Sequence, residues 1–137
     1  MDRRIYIKIN KENTMKTIIL DSNFLMLPFQ FKIDIFSELE RICEFKYEIA
    51  IIDRTIDELN DISKAESKAA LKLIEIKQVK LIKTDKNTIV DNLIMDIVDK
   101  EKHIVATQDK ELKQRLKEKN IPIITLRQKK YLNLQKS

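Results

Sequence analysis

The chain has 137 residues, enough for one ordinary domain with its own core, and carries 27 basic against 22 acidic side chains for a formal net charge of +5. Its apolar content of 43% is too high for a disordered chain, and the complete absence of glycine excludes P-loops and GxGxxG dinucleotide turns, which need backbone where a Cβ would clash. A single histidine (His103) and a single cysteine (Cys43) exclude multi-histidine metal clusters, zinc fingers and disulfides, and fit a reducing, cytoplasmic setting.

The first fourteen residues stand apart. Arg4-Ile5-Tyr6-Ile7-Lys8-Ile9 alternates like an edge strand, yet Met15-Lys16-Thr17 would make an ordinary start, so residues 1–15 are set aside as an extension. Thr17-Ile18-Ile19-Leu20 then predicts a buried strand stopping at Asp21. Ile35, Phe36, Leu39, Ile42 and Cys43 recur at helical spacing behind Asp34 as N-cap. Ile49-Ala50-Ile51-Ile52 is a second strand, ending at Asp53. A helix follows from about Thr55, broken near Asn60-Asp61 and restarted by Ser63 with Glu66 as a capping box.

Val79-Lys80-Leu81-Ile82 predicts a third strand, and Val90, Leu93, Ile94, Ile97 and Val98 form a helical stripe. His103-Ile104-Val105-Ala106 is a fourth strand, 109–119 a charged helix, and Pro122-Ile123-Ile124-Thr125-Leu126 a fifth strand. Short apolar strands alternating with helices indicate a parallel sheet covered on both faces. The expected architecture is a three-layer α/β/α fold on a five-stranded parallel sheet, spanning residues 16–132, with 133–137 as a tail. No apolar run approaches the length of a membrane span or signal peptide.

Charge is unevenly distributed. Residues 1–16 carry +3 and 110–137 carry +7, whereas 17–109 carry −5. Such a pattern suggests a cation or acid site in the middle and a polyanion held by the ends. Arg127-Gln128-Lys129-Lys130-Tyr131 has an aromatic and no acid, and reads as a stretch that contacts phosphates.

In open parallel sheets, ligands bind beyond the carboxyl ends of the strands. Asp21 follows the first strand, Glu58 lies a few residues past the second, and Asp109 lies just past the fourth. Asp91 opens the helix leading into the fourth strand. At 100° per residue it falls at the edge of the apolar stripe, whereas Asp96 and Asp99 point to the solvated side. Taken singly, three of these have structural readings: Glu58 and Asp91 each match a T-x-x-[DE] capping box, and Asp109 can cap the helix after it. Asp21 shows no capping duty in the sequence. Taken together, two carboxylates 4 Å apart repel by about 4 kcal/mol at an effective dielectric near 20. An all-oxygen set without His or Cys selects a hard divalent ion, Mg²⁺ or Mn²⁺.

At these residues the sequence resembles PIN-domain nucleases. Thr17-Ile18-Ile19-Leu20-Asp21-Ser22-Asn23-Phe24-Leu25, Thr55-Ile56-Asp57-Glu58-Leu59, Asp91-Asn92-Leu93-Ile94 and Val105-Ala106-Thr107-Gln108-Asp109-Lys110-Glu111-Leu112 match the family's four motifs in order. Pro28-Phe29-Gln30-Phe31-Lys32-Ile33-Asp34-Ile35-Phe36 and the 121–131 stretch resemble an archaeal branch related to eukaryotic small-subunit rRNA-processing PIN nucleases, some members of which are named VapC-type toxins. One departure is visible: Gln108 stands where that branch usually has Asn.

The resemblance implies an Mg²⁺- or Mn²⁺-dependent endoribonuclease with Asp21, Glu58, Asp91 and Asp109 as its acid site, and homodimers are common in the family. On this reading Asp21, Asp91 and Asp109 ligate metal, and Glu58 is a further ligand or orients water. Ser22, Asn23 and Thr107 hydrogen-bond the carboxylates, and Glu111 is a candidate extra acid. Arg127, Lys129, Lys130 and Tyr131 bind RNA. An antitoxin or a ribosomal precursor is the expected partner, and no membrane is involved. The alternative is a catalytically silent RNA-binding module of ribosome assembly. A haloacid-dehalogenase phosphatase would need an acid where Asn23 stands.

Overall fold

Strands whose residues are apolar on both faces need cover on both faces, and the chain supplies it with helices. The computed structural model describes residues 15–136. In chain order the elements are β1 (Lys16–Leu20), α1 (Ser22–Phe31), α2 (Ile35–Ile42), β2 (Tyr47–Ile52), α3 (Asp53–Ile62), α4 (Ala65–Ile76), β3 (Lys80–Ile82), α5 (Val90–Ile97), β4 (His103–Ala106), α6 (Lys110–Glu118), β5 (Ile123–Arg127) and β6 (Tyr131–Gln135). The strand order across the sheet is β3-β2-β1-β4-β5-β6.

Successive side chains of each strand enter different cores. Ile18, Leu20, Ile51, Ile104, Ala106, Ile124 and Leu126 pack with Phe24, Leu25, Ile35, Leu39, Leu59, Ala70 and Ile74 from α1 to α4. Ile19, Ile52, Val105 and Ile123 pack with Val90, Leu93 and Ile94 of α5 and with Leu112 and Leu116 of α6. The result is the expected three-layer α/β/α architecture, with one correction. Among the described residues the sheet has six strands rather than five, and β6 runs antiparallel to β5, pairing Arg127 with Tyr131 and Ile123 with Gln135. This strand crosses the expected boundary between domain and tail at residue 132.

The outer edge of β6 is covered by side chains of α2. Glu38 Oε1 accepts the Leu132 N–H at 2.9 Å, and Arg41 Nη2 donates to the Leu132 carbonyl at 3.2 Å. Those two groups are the ones an edge strand would offer to another chain.

One element is added and two local expectations change. Residues 22–31 form a helix that carries Pro28 in its interior, where proline normally argues for a break. The break between α3 and α4 falls at Ser63–Lys64, and the Ser67 hydroxyl accepts the Lys64 N–H at 2.8 Å, so Ser67 takes the role expected of Glu66. Asp34 caps α2 as the sequence predicts, taking the N–H groups of Phe36 and Ser37. The alternating stretch 4–9 lies outside the described residues. No described helix is long and apolar enough to cross a membrane.

Candidate active site

After β1 the chain builds β2 and β3 on one side, then returns to place β4 on the other. The strand order therefore reverses between β1 and β4, and at such a switch point the two outgoing connections diverge and leave a crevice at the carboxyl edge. Asp21 follows β1, and Thr107-Gln108-Asp109 follows β4.

Asp21 is 4% exposed and is the N-cap of α1, a duty the sequence does not reveal. Its Oδ1 accepts the Phe24 N–H at 2.8 Å, and its Oδ2 accepts the Thr107 hydroxyl. The same hydroxyl accepts the Asp109 N–H at 3.1 Å, so one side chain links the two strand-end acids. Asp109 in turn caps α6, its Oδ1 taking the Leu112 N–H at 2.8 Å. Burial pushes the Asp21 carboxyl up to about 6; the bonds from Thr107 and Phe24 oppose this, while Asp91 and Asp109 push the same way as burial.

Asp91 is the second residue of α5 and makes no capping bond, so the capping-box reading of Thr88–Asp91 fails; the N-cap is Ile89. Burial raises its pKa, Asp109 and Glu111 add to the rise, and Arg115 opposes it. Glu58 sits inside α3, which starts at Asp53, so it is not part of a Thr55 capping box either. Burial and Asp91 raise its pKa against the pull of Arg54 and the Val90 N–H. All four acids line one cleft of about 90 Å³ together with Ser22, Asn23, Ile62 and Val90.

Of the expected supporting residues, Thr107 bonds both acids as described. Ser22 is buried with its hydroxyl unpartnered among the described residues, and Asn23 is exposed at the rim. Arg127, Lys129, Lys130 and Tyr131 do not line the cleft. Arg127 ends β5 at the same edge of the sheet. Lys129 stands over the Phe31 ring, 5.8 Å from its centroid, at the far end of α1 from Asp21, and Tyr131 opens β6.

Around these acids stand Arg115, which the sequence did not single out, and Gln108, the departure from the family pattern. Arg115 donates to Asn92 Oδ1 at 2.8 Å, and Asn92 donates to Thr88 at 2.9 Å, bracing the start of α5 beside Asp91. Gln108 pairs with both backbone groups of Leu126, at 2.6 and 3.2 Å, extending the β4–β5 ladder past its last backbone pair. Asp53 also ends a strand, but Thr84 engages both its carboxylate oxygens and it points elsewhere. There burial raises the pKa, and the bonds from Thr84 and Arg54 outweigh it, leaving the group lowered.

Among the described residues, no three His, Cys, Asp or Glu side chains stand close enough together to form a ready-made metal centre. The chemistry of the donor set fits a hard divalent ion nonetheless. The cleft offers carboxylate oxygens with no His or Cys, and three of its acids are held above their ordinary pKa by burial and by one another. A charge of +2 relieves that repulsion.

Comparison with known proteins gives a consistent result. Residues 18–129 match the family model described as PIN like domain. The chain is 38% identical over 127 residues to Ribonuclease VapC4 of Methanocaldococcus jannaschii, covering 88% of this chain and 97% of that protein. It also superposes on the structure of the PIN domain endonuclease Utp24 with a TM-score of 0.78 at 29% identity, covering 88% of this chain and 92% of the other.

Proposed function

The chain belongs to the PIN-like domain family, and on that premise we propose that it is a divalent-metal-dependent endoribonuclease acting through the cleft of Asp21, Glu58, Asp91 and Asp109. The observation that carries this reading is the gathering of four carboxylates from four separate chain segments at the β1–β4 switch point, three of them with raised pKa.

Asp21, Asp91 and Asp109 would hold Mg²⁺ or Mn²⁺, with Glu58 a further ligand or a proton acceptor. A bound ion of this class neutralises phosphate charge and lowers the pKa of water at the site. The remaining work belongs to the chain itself. Thr107 keeps Asp21 oriented and ties it to the backbone of Asp109. Caps on α1 and α6 hold one oxygen of Asp21 and one of Asp109, fixing the direction in which each carboxylate faces. Glu58, its pKa raised, is suited to take a proton from the attacking water. Water adds to phosphorus, the P–O3′ bond breaks, and the products are a 5′-phosphate and a 3′-hydroxyl that leaves with a proton.

RNA is the substrate class on this reading, and the cytoplasm its setting. The likeness to a VapC ribonuclease supports a toxin-type role with an antitoxin partner, and the likeness to Utp24 supports a role in rRNA processing. The test is cleavage of single-stranded RNA by wild type and Asp21→Asn, with Mn²⁺ and with EDTA. We expect wild type to cut only with metal and Asp21→Asn to be slower by at least about a hundredfold. Equal cutting by the two proteins would overturn the reading, and RNA binding without cutting would favour a silent RNA-binding module.

A further inference from the structure

We infer that the RNA strand runs beside the acid cleft on a basic track formed by Lys110, Lys113 and Lys117 of α6 with Arg127 of β5, Lys113 and Arg127 gripping backbone phosphate next to the cut. This rests on the endoribonuclease reading and adds the path of the substrate to it.

An acid cleft alone repels RNA, so cations must stand close by to hold the strand there. At 100° per residue, Lys110, Lys113 and Lys117 fall within an arc of about 60° on α6, while Leu112 and Leu116 are fully buried in the core. The stripe starts next to Asp109, at the wall of the cleft, and rises about 10 Å along the helix. Lys113 is the hinge of the arrangement. It is half-buried, and its ammonium lies within electrostatic reach of Lys110, Lys117, Arg127 and Asp21, so it belongs to the track and to the cleft at once.

Arg127 is held in place by its neighbours rather than by its own side chain. Gln108 locks Leu126 to the end of β4, and the turn after Arg127 closes with the Lys130 N–H on the Arg127 carbonyl at 3.0 Å. The guanidinium is thereby presented at the carboxyl edge of the sheet. Among the described residues, none of the four basic side chains is engaged in an ion pair or hydrogen bond. Burial and the surrounding cations lower the Lys113 pKa, and a polyanion lying across the cluster would relieve that strain.

The track is tested by the affinity of the full chain for a short fluorescein-labelled single-stranded RNA, read by anisotropy in EDTA across a series of salt concentrations. Lys113→Ala and Arg127→Ala should each weaken binding about fivefold and reduce the slope of log K against log salt by about 0.7. Lys113→Arg should restore the slope, and thermal melts would establish that the variants are folded. Unchanged affinity and slope in both alanine variants overturn the track. The same holds if Lys129→Ala with Lys130→Ala takes the whole effect. Wild type that cuts RNA while Lys113→Ala binds normally overturns the track alone. Wild type that neither binds nor cuts RNA overturns the nuclease reading with it.

Discussion

Asp21 closes β1, is buried and faces two other carboxylates, so its charge is costly in the metal-free protein even though the Thr107 and Phe24 bonds favour it. Its native pKa of about 6 lies above the ordinary value of 3.8. As pH rises past 3.8 the unfolded chain releases this proton first, and the native chain holds it until about 6. Stability therefore falls across that window, and above it the full penalty, of the order of 3 kcal/mol, stays in place. Asn caps a helix as well as Asp does. We accordingly expect Asp21→Asn in EDTA to be more stable than wild type at pH 7.5 by roughly 1–3 kcal/mol in urea titrations, with the gain fading towards pH 4. A gain of the same size at both pH values would remove charge as its cause. At this scale the sequence exposed the acids, because Asp21 and Asp109 follow strands, Asp91 opens a helix and Glu58 lies a few residues past β2. It hid the cap at Asp21, because residues 22–31 are apolar nearly throughout and carry Pro28, so no helical period marks the helix that Asp21 caps. It hid Lys113 as well, since lysines on a charged helix look like an ordinary solvated face until the fold sets Arg127 and Asp21 beside one of them.

A chain without glycine must still turn, and its elements show how. Lys32, Ser63, Gln78, Lys86, Asn120, Gln128 and Lys129 all take positive φ, where a Cβ is disfavoured. Gln78 and Asn120 end α4 and α6 in the same way. The Gln78 N–H bonds the Glu75 carbonyl and the Val79 N–H the Ile74 carbonyl, while Asn120 and Ile121 repeat the pattern on Lys117 and Leu116. This is the Schellman arrangement, which usually places glycine at the left-handed position. Gln78→Gly should therefore stabilise the fold by about 0.5–1 kcal/mol, the relief of the Cβ clash exceeding the added freedom of the unfolded chain. Chemical denaturation reads this directly, and a loss of stability would mean that Gln78 holds its conformation through side-chain contacts. The same habit explains why β6 was missed. Its hairpin turns through Gln128 and Lys129 at φ 52° and 55°, without the Asn-Gly or Asp-Gly that marks such a turn in a sequence. Most of the parallel strands are legible because their central residues are buried on both faces and read as apolar runs; β3, at one edge, is exposed and short. Tyr131-Leu132-Asn133-Leu134-Gln135, at the other edge, does not read as such a run.

On the scale of the whole molecule, the fold sorts buried strand-end aspartates into two kinds. Asp53 ends β2 away from the switch point, and Thr84 meets both its oxygens, so its pKa is lowered and its charge contributes stability that is lost as pH falls. Asp21 ends β1 at the switch point, where burial and the gathered acids outweigh the bonds from Thr107 and Phe24, and its charge opposes folding. A divalent ion that binds the native cleft and not the unfolded chain should reverse the second effect without touching the first. At a hundred times its dissociation constant, Mn²⁺ would add about 2.7 kcal/mol, raising the melting temperature of a domain this size by roughly 8 °C. We expect that shift in wild type and in Asp53→Asn, which starts from a lower melting temperature, and its near disappearance in Asp21→Asn and Asp91→Asn. Asp21 and Asp91 lie 70 residues apart in the chain and are joined only by the reversal of strand order, so loss of the shift in both would trace the ion to that junction. A shift that survived both substitutions and vanished with Asp53 would place the ion elsewhere and leave the gathered acids without a cation.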